Sequence, residues 1–486
     1  MAKLLILGAG VAGQTAALHA RRQLSKKHEV IVVAPNSHYN WIPSNIWVGI
    51  GAMKKEQVVF PLAPVFKKQG ITHHQAKAVS IHPEGDAENS MPYVTIEYTD
   101  PSKVGQTAKV HYDYLINATG PKLNFGATKG LGPHDGYTHS VCTADHAVAT
   151  NSALQDLVQQ MKKGDKKKFV IGTGHGSATC QGAAFEYIMN VDFVLRKAKV
   201  RDRAEIVWLT NEYEVGDLGM GSMHIVRGGY ITNTKVFTES IFAEREISWI
   251  TRSHVKEIEP KKIIYENLNG EIKEENYDFA MLIPPFAGVG LKAFDKANND
   301  ITSELFAPNG LMKVDADYTP KKFEEWKASD WPKYYNSPKY SNIFAVGIAF
   351  APPHSISKPQ FSPNGTPIFP TPPRTGMPSG TMARIVTFNV VDMIKGKTDK
   401  PKHSASLANM GAACLASVGS SLWNGSAASM TVYPIVPDFE RFPETGRDLR
   451  YTTGEVGLAG HWIKYLLHFG FIYKAKANPF WFLIPE

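Results

Sequence analysis

Three cysteines, Cys142, Cys180 and Cys414, are the residues of this chain best suited to redox or nucleophilic chemistry. A thiolate or persulfide is a soft nucleophile that can accept a further sulfur atom, and paired sulfurs can exchange electrons two at a time. The odd, sparse count does not fit a disulfide-stapled secreted fold, and leaves catalytic, metal-binding and packing roles open. No Cys-x-x-Cys or equivalent spacing joins the cysteines to His146 or His175, so a metal centre is not expected. Cys180 follows the glycine-rich turn Gly172-Thr173-Gly174-His175-Gly176, near the start of a helix predicted from about Ser177. A helix N-terminus at that place favours a thiolate. Glu186 lies six residues farther along the same predicted helix, and His146 four residues past Cys142; both are candidates for proton transfer. Taken singly, a free cysteine is most often a small buried hydrophobe, and a histidine a core or surface residue.

The elements that must position these side chains are legible from the first residue. Lys3–Leu7 reads as a short apolar strand, followed by Gly8-Ala9-Gly10-Val11-Ala12-Gly13, a helix to about Gln23 and a second strand, Glu29–Ala34. This is the strand–turn–helix–strand opening of a dinucleotide-binding fold. Gly8, Gly10, Ala12 and Gly13 form the turn that faces a pyrophosphate, with the helix N-terminus behind it. An acidic residue usually ends the second strand; here Asn36 stands near that place as an uncharged partner for the ribose. Tyr112–Asn117 is a buried strand ending in Ala118-Thr119-Gly120, and Asn342–Val346 is a late return strand ending at Gly347. The second glycine turn follows a strand at Lys168–Ile171. The expected class is therefore α/β, with two Rossmann-like dinucleotide-binding units and residues of roughly 150–290 inserted into the first. Ala351–Pro378 is rich in proline and glycine and reads as an ordered crossing loop.

Composition narrows the partners. The chain has 486 residues, 43% hydrophobic and 20% charged, as in a globular protein of two or three domains. The net charge of +8 suits an anionic partner, but the lysines are scattered and no nucleic-acid-binding motif accompanies them. The chain enters a strand within three residues, so no signal peptide is expected, and no apolar run reaches the roughly 20 residues a spanning helix needs. Leu458–Tyr473 is apolar except for His461, Lys464 and His468, which form one narrow polar stripe at helical spacing. With Lys474, Lys476 and the aromatic stretch Phe480-Trp481-Phe482 beyond, this tail suits either an interfacial amphipathic helix or a helix docked on the body. The expectation is a peripheral membrane protein; a homo-oligomeric state is left open.

With these segments in view, the sequence resembles the sulfide:quinone oxidoreductase family. The likeness is carried by Gly8–Gly13, Trp41-Ile42-Pro43-Ser44-Asn45-Ile46-Trp47, Ile116–Pro121, Cys142-Thr143-Ala144-Asp145-His146 and Cys180 through Tyr187. Ile283-Pro284-Pro285-Phe286, Asn342–Ala349 and Arg374-Thr375-Gly376 continue it. The resemblance implies FAD as cofactor, sulfide as electron donor and a membrane quinone as acceptor. It implies that Cys180 and Cys414 face each other across the flavin, with Cys142 as the family's third cysteine and Glu186 as its acid. It further implies that Arg374 and Gly376 lie beside the flavin. Gly347 and Ile348 replace the Gly-Asp of most two-domain flavoproteins, which suits an apolar quinone slot with Phe350, Pro352, Tyr465 and Phe471. Many members have a histidine where this chain has Asp217. The implied division is 1–150 and 291–400 for the FAD-binding domain, 151–290 for the second Rossmann-like domain and 401–486 for a cysteine-bearing quinone and membrane region.

Three other readings remain at this level. A type-II NADH:quinone dehydrogenase would need an acid after the strand Glu205–Leu209, and Glu212 is the one available. A flavocytochrome c sulfide dehydrogenase subunit would normally be exported. A flavin-binding scaffold without catalysis would have no use for three cysteines in family-matching contexts.

Overall fold

The computed structural model describes residues 1–373 and 376–486. Its first sheet runs, in spatial order, Ile343–Ala345, Tyr114–Asn117, Lys3–Leu7, Glu29–Ala34, Thr72–His82, Tyr93–Tyr98 and Thr107–His111. The strands are parallel as far as Thr72–His82 and antiparallel beyond. Parallel strands are covered on both faces, which is why Leu4, Leu5, Ile6 and Leu7 form an unbroken apolar run with no exposure. The registers align Leu7 with Val33 on one side and Asn117 on the other, and Asn117 with Ala345. The turns at Gly8, Ala118 and Gly347 therefore open at one edge, in the crevice beyond the carboxyl ends of the strands where such sheets bind ligands.

A second, wholly parallel sheet runs Ile247–Ile250, Ala204–Leu209, Lys167–Thr173, Phe279–Ile283. The chain leaves the first sheet to build this one and returns at Ile343–Ala345. A third sheet orders Tyr230–Asn233, His224–Arg227, Thr453–Gly457, Asn424–Val432 and Ala412–Ser421. It joins a hairpin from the middle of the chain to the strands of the C-terminal part, and Cys414 lies on its edge strand. The helix Leu458–Ala475 packs on this sheet, and its end is pinned to the helix Val11–Gln23. Gln14 Nε2 donates to the Ala475 carbonyl at 2.7 Å, while the buried Glu486 carboxylate meets Lys474 Nζ at 2.6 Å and His19 Nε2 at 2.9 Å.

Two boundaries differ from the sequence expectation. The crossing loop ends early, because Gly376 opens the helix Gly376–Ile394 and Pro378 sits in its first turn, where no N–H is required. The helix expected from Ser177 begins only at Gln181. Its expected first turn is claimed by other partners. Asn211 Nδ2 donates to the carbonyls of Gly176 and Ala178, both at 3.0 Å, and Phe369 N–H donates to Gly176 at 2.8 Å.

Candidate active site

Because the helix starts late, Cys180 is its N-cap rather than a residue of its first turn, with φ of 71° in the left-handed region. Such a conformation is uncommon for a residue with a Cβ and persists only when neighbours impose it. Here Thr179 Oγ1, bonded to the carbonyls of Thr371 (3.2 Å) and Pro372 (3.0 Å), and Gln181 Nε2, bonded to Asn211 Oδ1 at 3.0 Å, hold both flanks. The strand Ala412–Ser421 crosses the same helix end. A Cβ at Gly182 would lie 3.1 Å from Cys414 Sγ, so glycine there lets the third sheet bring its thiol down to the helix.

All three cysteines are free, half-buried and gathered at this point. Burial pushes the Cys180 thiol up to about 12, and the neighbouring Cys142 and Cys414 push it the same way. Burial, followed by the charge of Glu186, pushes Cys414 up to about 11. The helix N-terminus therefore does not make Cys180 a ready thiolate: removal from water outweighs the dipole, and the site must take protons from its thiols to use them.

Glu186 lies two turns along the helix, buried, with Lys464 Nζ 2.7 Å from Oε2 and the Ser417 N–H 3.3 Å from Oε1. Burial raises its carboxyl, and Lys464 draws it back down. Asn190, one further turn along, donates to the Ser417 carbonyl at 2.7 Å and fastens the same strand. Lys464 belongs to the polar stripe of the C-terminal helix, and that stripe faces inward. His461 bonds Ser417 Oγ at 2.6 Å, His468 bonds Ser44 Oγ at 2.8 Å, and both histidines are buried. The spacing was visible in the sequence; its partners on distant elements were not. Asp217 is buried and accepts from Ser357 Oγ at 2.7 Å. His146 caps back to Thr143 at the start of the helix Ala144–Lys162, near Cys142.

The first glycine turn fits a dinucleotide. Gly8 has φ of 99°, and a Cβ there would run into the Ala118 carbonyl, just as one on Gly13 would run into the Gly8 carbonyl. Gly10 and Gly120, by contrast, have nothing within 4 Å of that position, so the crevice side stays open. Gly10 is an N-cap without a side-chain cap, which leaves the first N–H groups of Val11–Gln23 for a phosphate. Thr119 is ordered by bonds to Asn117 Oδ1, from its N–H at 3.2 Å and its Oγ1 at 2.8 Å. Gly347 lies against Ala12, and Asn36 is exposed just beyond the second strand. Ile348 is half-buried beside Gly347, whereas Arg374 lies outside the described residues.

The second glycine turn is filled by the protein itself. A Cβ at Gly174 would meet Leu131 Cδ1 at 2.5 Å, and one at Gly176 would run into the Pro367 carbonyl and the His254 ring. Glu212 is fully buried and turned inward, accepting from Leu218 N–H at 2.8 Å, Thr210 Oγ1 at 2.9 Å and Trp208 Nε1 at 3.2 Å. It has no free oxygen to offer a ribose. The slot candidates fall into two aromatic groups. Phe350 packs edge-on to Tyr335 (5.1 Å) and Trp331 (6.5 Å), with the half-buried Pro352 two residues on. Tyr465 packs on Trp47, and Phe471 stacks on Trp41, both at 4.9 Å.

Two dinucleotide-type sheets, an open phosphate cradle and thiols beyond the second turn are the architecture of a two-domain flavoprotein, and the model of the pyridine nucleotide-disulphide oxidoreductase family matches residues 2–212. The sulfide-quinone reductase of Aquifex aeolicus is 32% identical over 446 residues, covering 91% of this chain and 86% of that protein. The chain belongs to the sulfide:quinone oxidoreductase family, and its cofactor is FAD. The X-ray structure of the Aquifex aeolicus enzyme matches with a TM-score of 0.74 and 27% identity, over 98% of this chain and 92% of that one. The mitochondrial sulfide:quinone oxidoreductase of Dictyostelium discoideum is 21% identical over 58% of this chain and 56% of its own. NDH2 from Plasmodium falciparum, solved with NADH, shares the fold with a TM-score of 0.61 at 14% identity, over 99% of this chain and 97% of that one.

Proposed function

We propose that the protein oxidises hydrosulfide to polysulfide or sulfur at Cys180 and Cys414 and passes the electrons to a membrane quinone. The observation that carries this reading is the meeting of three thiols at one helix end, beside a buried Glu186–Lys464 pair. In its oxidised form the pair is bridged by sulfur. Hydrosulfide attacks one bridging sulfur, so that a new S–S bond forms, the bridge breaks, and the other cysteine leaves as a thiolate. Lys464 and Glu186 flank Cys414, the cation favouring that thiolate and the carboxyl exchanging a proton with it. FAD, which Gly8, Gly10, Ala12, Gly13, Asn36, Ala118, Thr119, Gly120, Gly347, Ile348 and Gly376 would hold, would supply a two-electron acceptor for the sulfur and a donor for quinone. In this reading residues 1–150 and 291–400 carry the cofactor, 151–290 carries Cys180, and 401–486 supplies Cys414 and the quinone side.

The C-terminal helix supports peripheral membrane contact. No helix among the described residues is long and apolar enough to cross a bilayer. Yet with its polar stripe turned inward, the outer face presents Trp462, Ile463, Leu466 and Phe469, with Leu466 72% exposed. Trp423 on the adjoining hairpin is 83% exposed, and Phe480 and Leu483 extend the same tail. An apolar outer face with a buried polar one is the inverse of a water-facing helix and suits a lipid surface. Tyr465, Phe471, Phe350 and Pro352 are the candidates for the quinone wall.

The test is anaerobic titration of the oxidised protein with sulfide, then with a soluble quinone. Bleaching of the flavin bands and their return are expected. Cys180→Ser and Cys414→Ser should each retain FAD and lose the bleaching; normal turnover in both would sink the scheme. Bleaching by NADH in place of sulfide would select the dehydrogenase, which the inward-turned Glu212 disfavours.

A further inference from the structure

Behind Cys142 runs a line of hydrogen-bonding groups that the scheme above does not use. Ser140 is 1% exposed, and its Oγ accepts the Cys142 N–H at 3.1 Å and bonds the Cys142 thiol. The same oxygen lies 3.3 Å from His146 Nδ1. Thr150 pins the serine in place: its Oγ1 donates to the Ser140 carbonyl at 2.7 Å and accepts the Ser140 N–H at 3.3 Å. On the other side of the imidazole, His146 Nε2 lies 3.2 Å from Nε2 of His134. His134 is exposed at the rim of a cavity of about 240 Å³, which Phe125, Lys129, Leu131 and Asp135 also line. The line thus runs without a gap from a half-buried thiol to solvent.

We propose that Ser140, His146 and His134 form a proton relay joining the sulfur held at Cys142 to water at this cavity. The relay rests on the sulfide-oxidising reading above. When the Cys142 thiol ionises, its S–H bond breaks and the proton passes to Ser140 Oγ as the serine proton moves to His146 Nδ1; the thiolate then takes the outer sulfur of a persulfide on the neighbouring Cys180, which leaves as a thiolate. His146 gives its Nε2 proton to Nε2 of His134, which releases its other ring proton to water. One proton enters, one leaves, and no electrons travel along the path. Two imidazole nitrogens in contact require one donor and one acceptor, so the pair carries a proton only while at least one ring is neutral.

The surroundings favour that state. Burial first, then His134, hold His146 below the ordinary histidine range, and Asp145 opposes them. Asp145 is itself paired with Lys55, and Lys129 with Glu257. Asp135 lies beside His134, and Cys180 is the ionisable neighbour on the inner side of Cys142. Burial also raises the Cys142 thiol, while its bond to Ser140 lowers it, so a base on this side is needed for ionisation.

The holoenzyme tests this by anaerobic stopped-flow reduction with sulfide, across pH and in heavy water. Ser140→Ala should slow flavin bleaching by roughly a hundredfold, the lower range for loss of a general acid–base group. Ser140→Thr should restore most of the rate, and reoxidation by quinone should be unchanged. His134→Asn, at an exposed position that tolerates the change, should slow bleaching several-fold and be rescued by added imidazole. A second readout is independent of turnover. With Cys180 and Cys414 replaced by serine, alkylation of Cys142 should show a higher apparent pKa once Ser140→Ala is added. Wild-type bleaching at unaltered rates in Ser140→Ala and His134→Asn overturns the relay and leaves the function standing. Should Ser140→Ala lose its flavin, His134→Asn decides: slowing without imidazole rescue overturns the relay. Wild-type protein that does not respond to sulfide overturns the reading of function, and the relay with it.

Discussion

The two glycine-rich turns of this molecule share a motif and differ in what fills them. At Gly8–Gly13 the glycines let backbone approach backbone, and the crevice side of Gly10 and Gly120 stays open. At Gly172–Gly176 the same kind of turn is packed by Leu131, the Pro367 carbonyl and the ring of His254, and Asn211 takes its carbonyls. One turn leaves room for a cofactor; the other is packed by the chain and leads into Cys180. A phosphate-binding motif therefore reports backbone geometry, while its function depends on whether the rest of the chain leaves the space empty.

The largest way to break this contrast is Gly13→Val. A side chain there collides with the Gly8 carbonyl, and the protein should purify colourless; a yellow product would refute the assignment of the first turn. Next in size is Lys464→Met, which removes the C-terminal helix's cation from Glu186 on the helix that follows the second turn. It leaves Glu186 buried and unpaired, and the expected cost is about 3–5 kcal/mol in denaturant unfolding, with FAD retained in the native state. Leu131→Ala should cost about 2–3 kcal/mol, low in the usual range because the site borders a cavity that can relax. It should not by itself admit NADH, since His254 and the Pro367 carbonyl still occupy the turn; NADH-driven bleaching in this variant would show that leucine alone closes it.

The smallest effect concerns pH. His175, in the second turn, is held down to about 4 by burial and by the adjacent His254. Its folded value lies below the unfolded one, so the unfolded chain binds the proton first as pH falls. Stability from this group is complete above about 6.5 and is lost on going down towards about 4, by on the order of 1–2 kcal/mol after allowance for its partial exposure. His175→Gln should flatten that limb of the Tm profile. The first turn contains no titratable side chain and should contribute no such slope.

Much of the fold was legible because it is local. Lys3–Leu7 and Glu29–Ala34 have the expected bounds, since short apolar runs stopped by Gly8 and by Pro35 suit strands buried on both faces of a parallel sheet. The cysteines, Glu186 and His146 were visible as candidates by type and spacing. The start of the Cys180 helix was misplaced because its first carbonyls are taken by Asn211 and Phe369, far away in sequence. Ser140 and His134 were missed, having no signal beyond ordinary polar residues in a loop. For the C-terminal helix, periodicity identified His461, Lys464 and His468 as one stripe but could not tell which way it faces.

Sequence alone thus determined the α/β class, the two glycine-rich turns, the candidate residue types and the amphipathic tail, all properties of short windows governed by sterics and hydrophobic periodicity. Tertiary structure alone decided which turn is filled, that burial overrides the helix dipole at Cys180, and that the polar stripe closes on Glu186, Ser417 and Ser44. Those outcomes depend on desolvation and on partners from 44 to 424 residues apart, and neither is encoded in the spacing of neighbours.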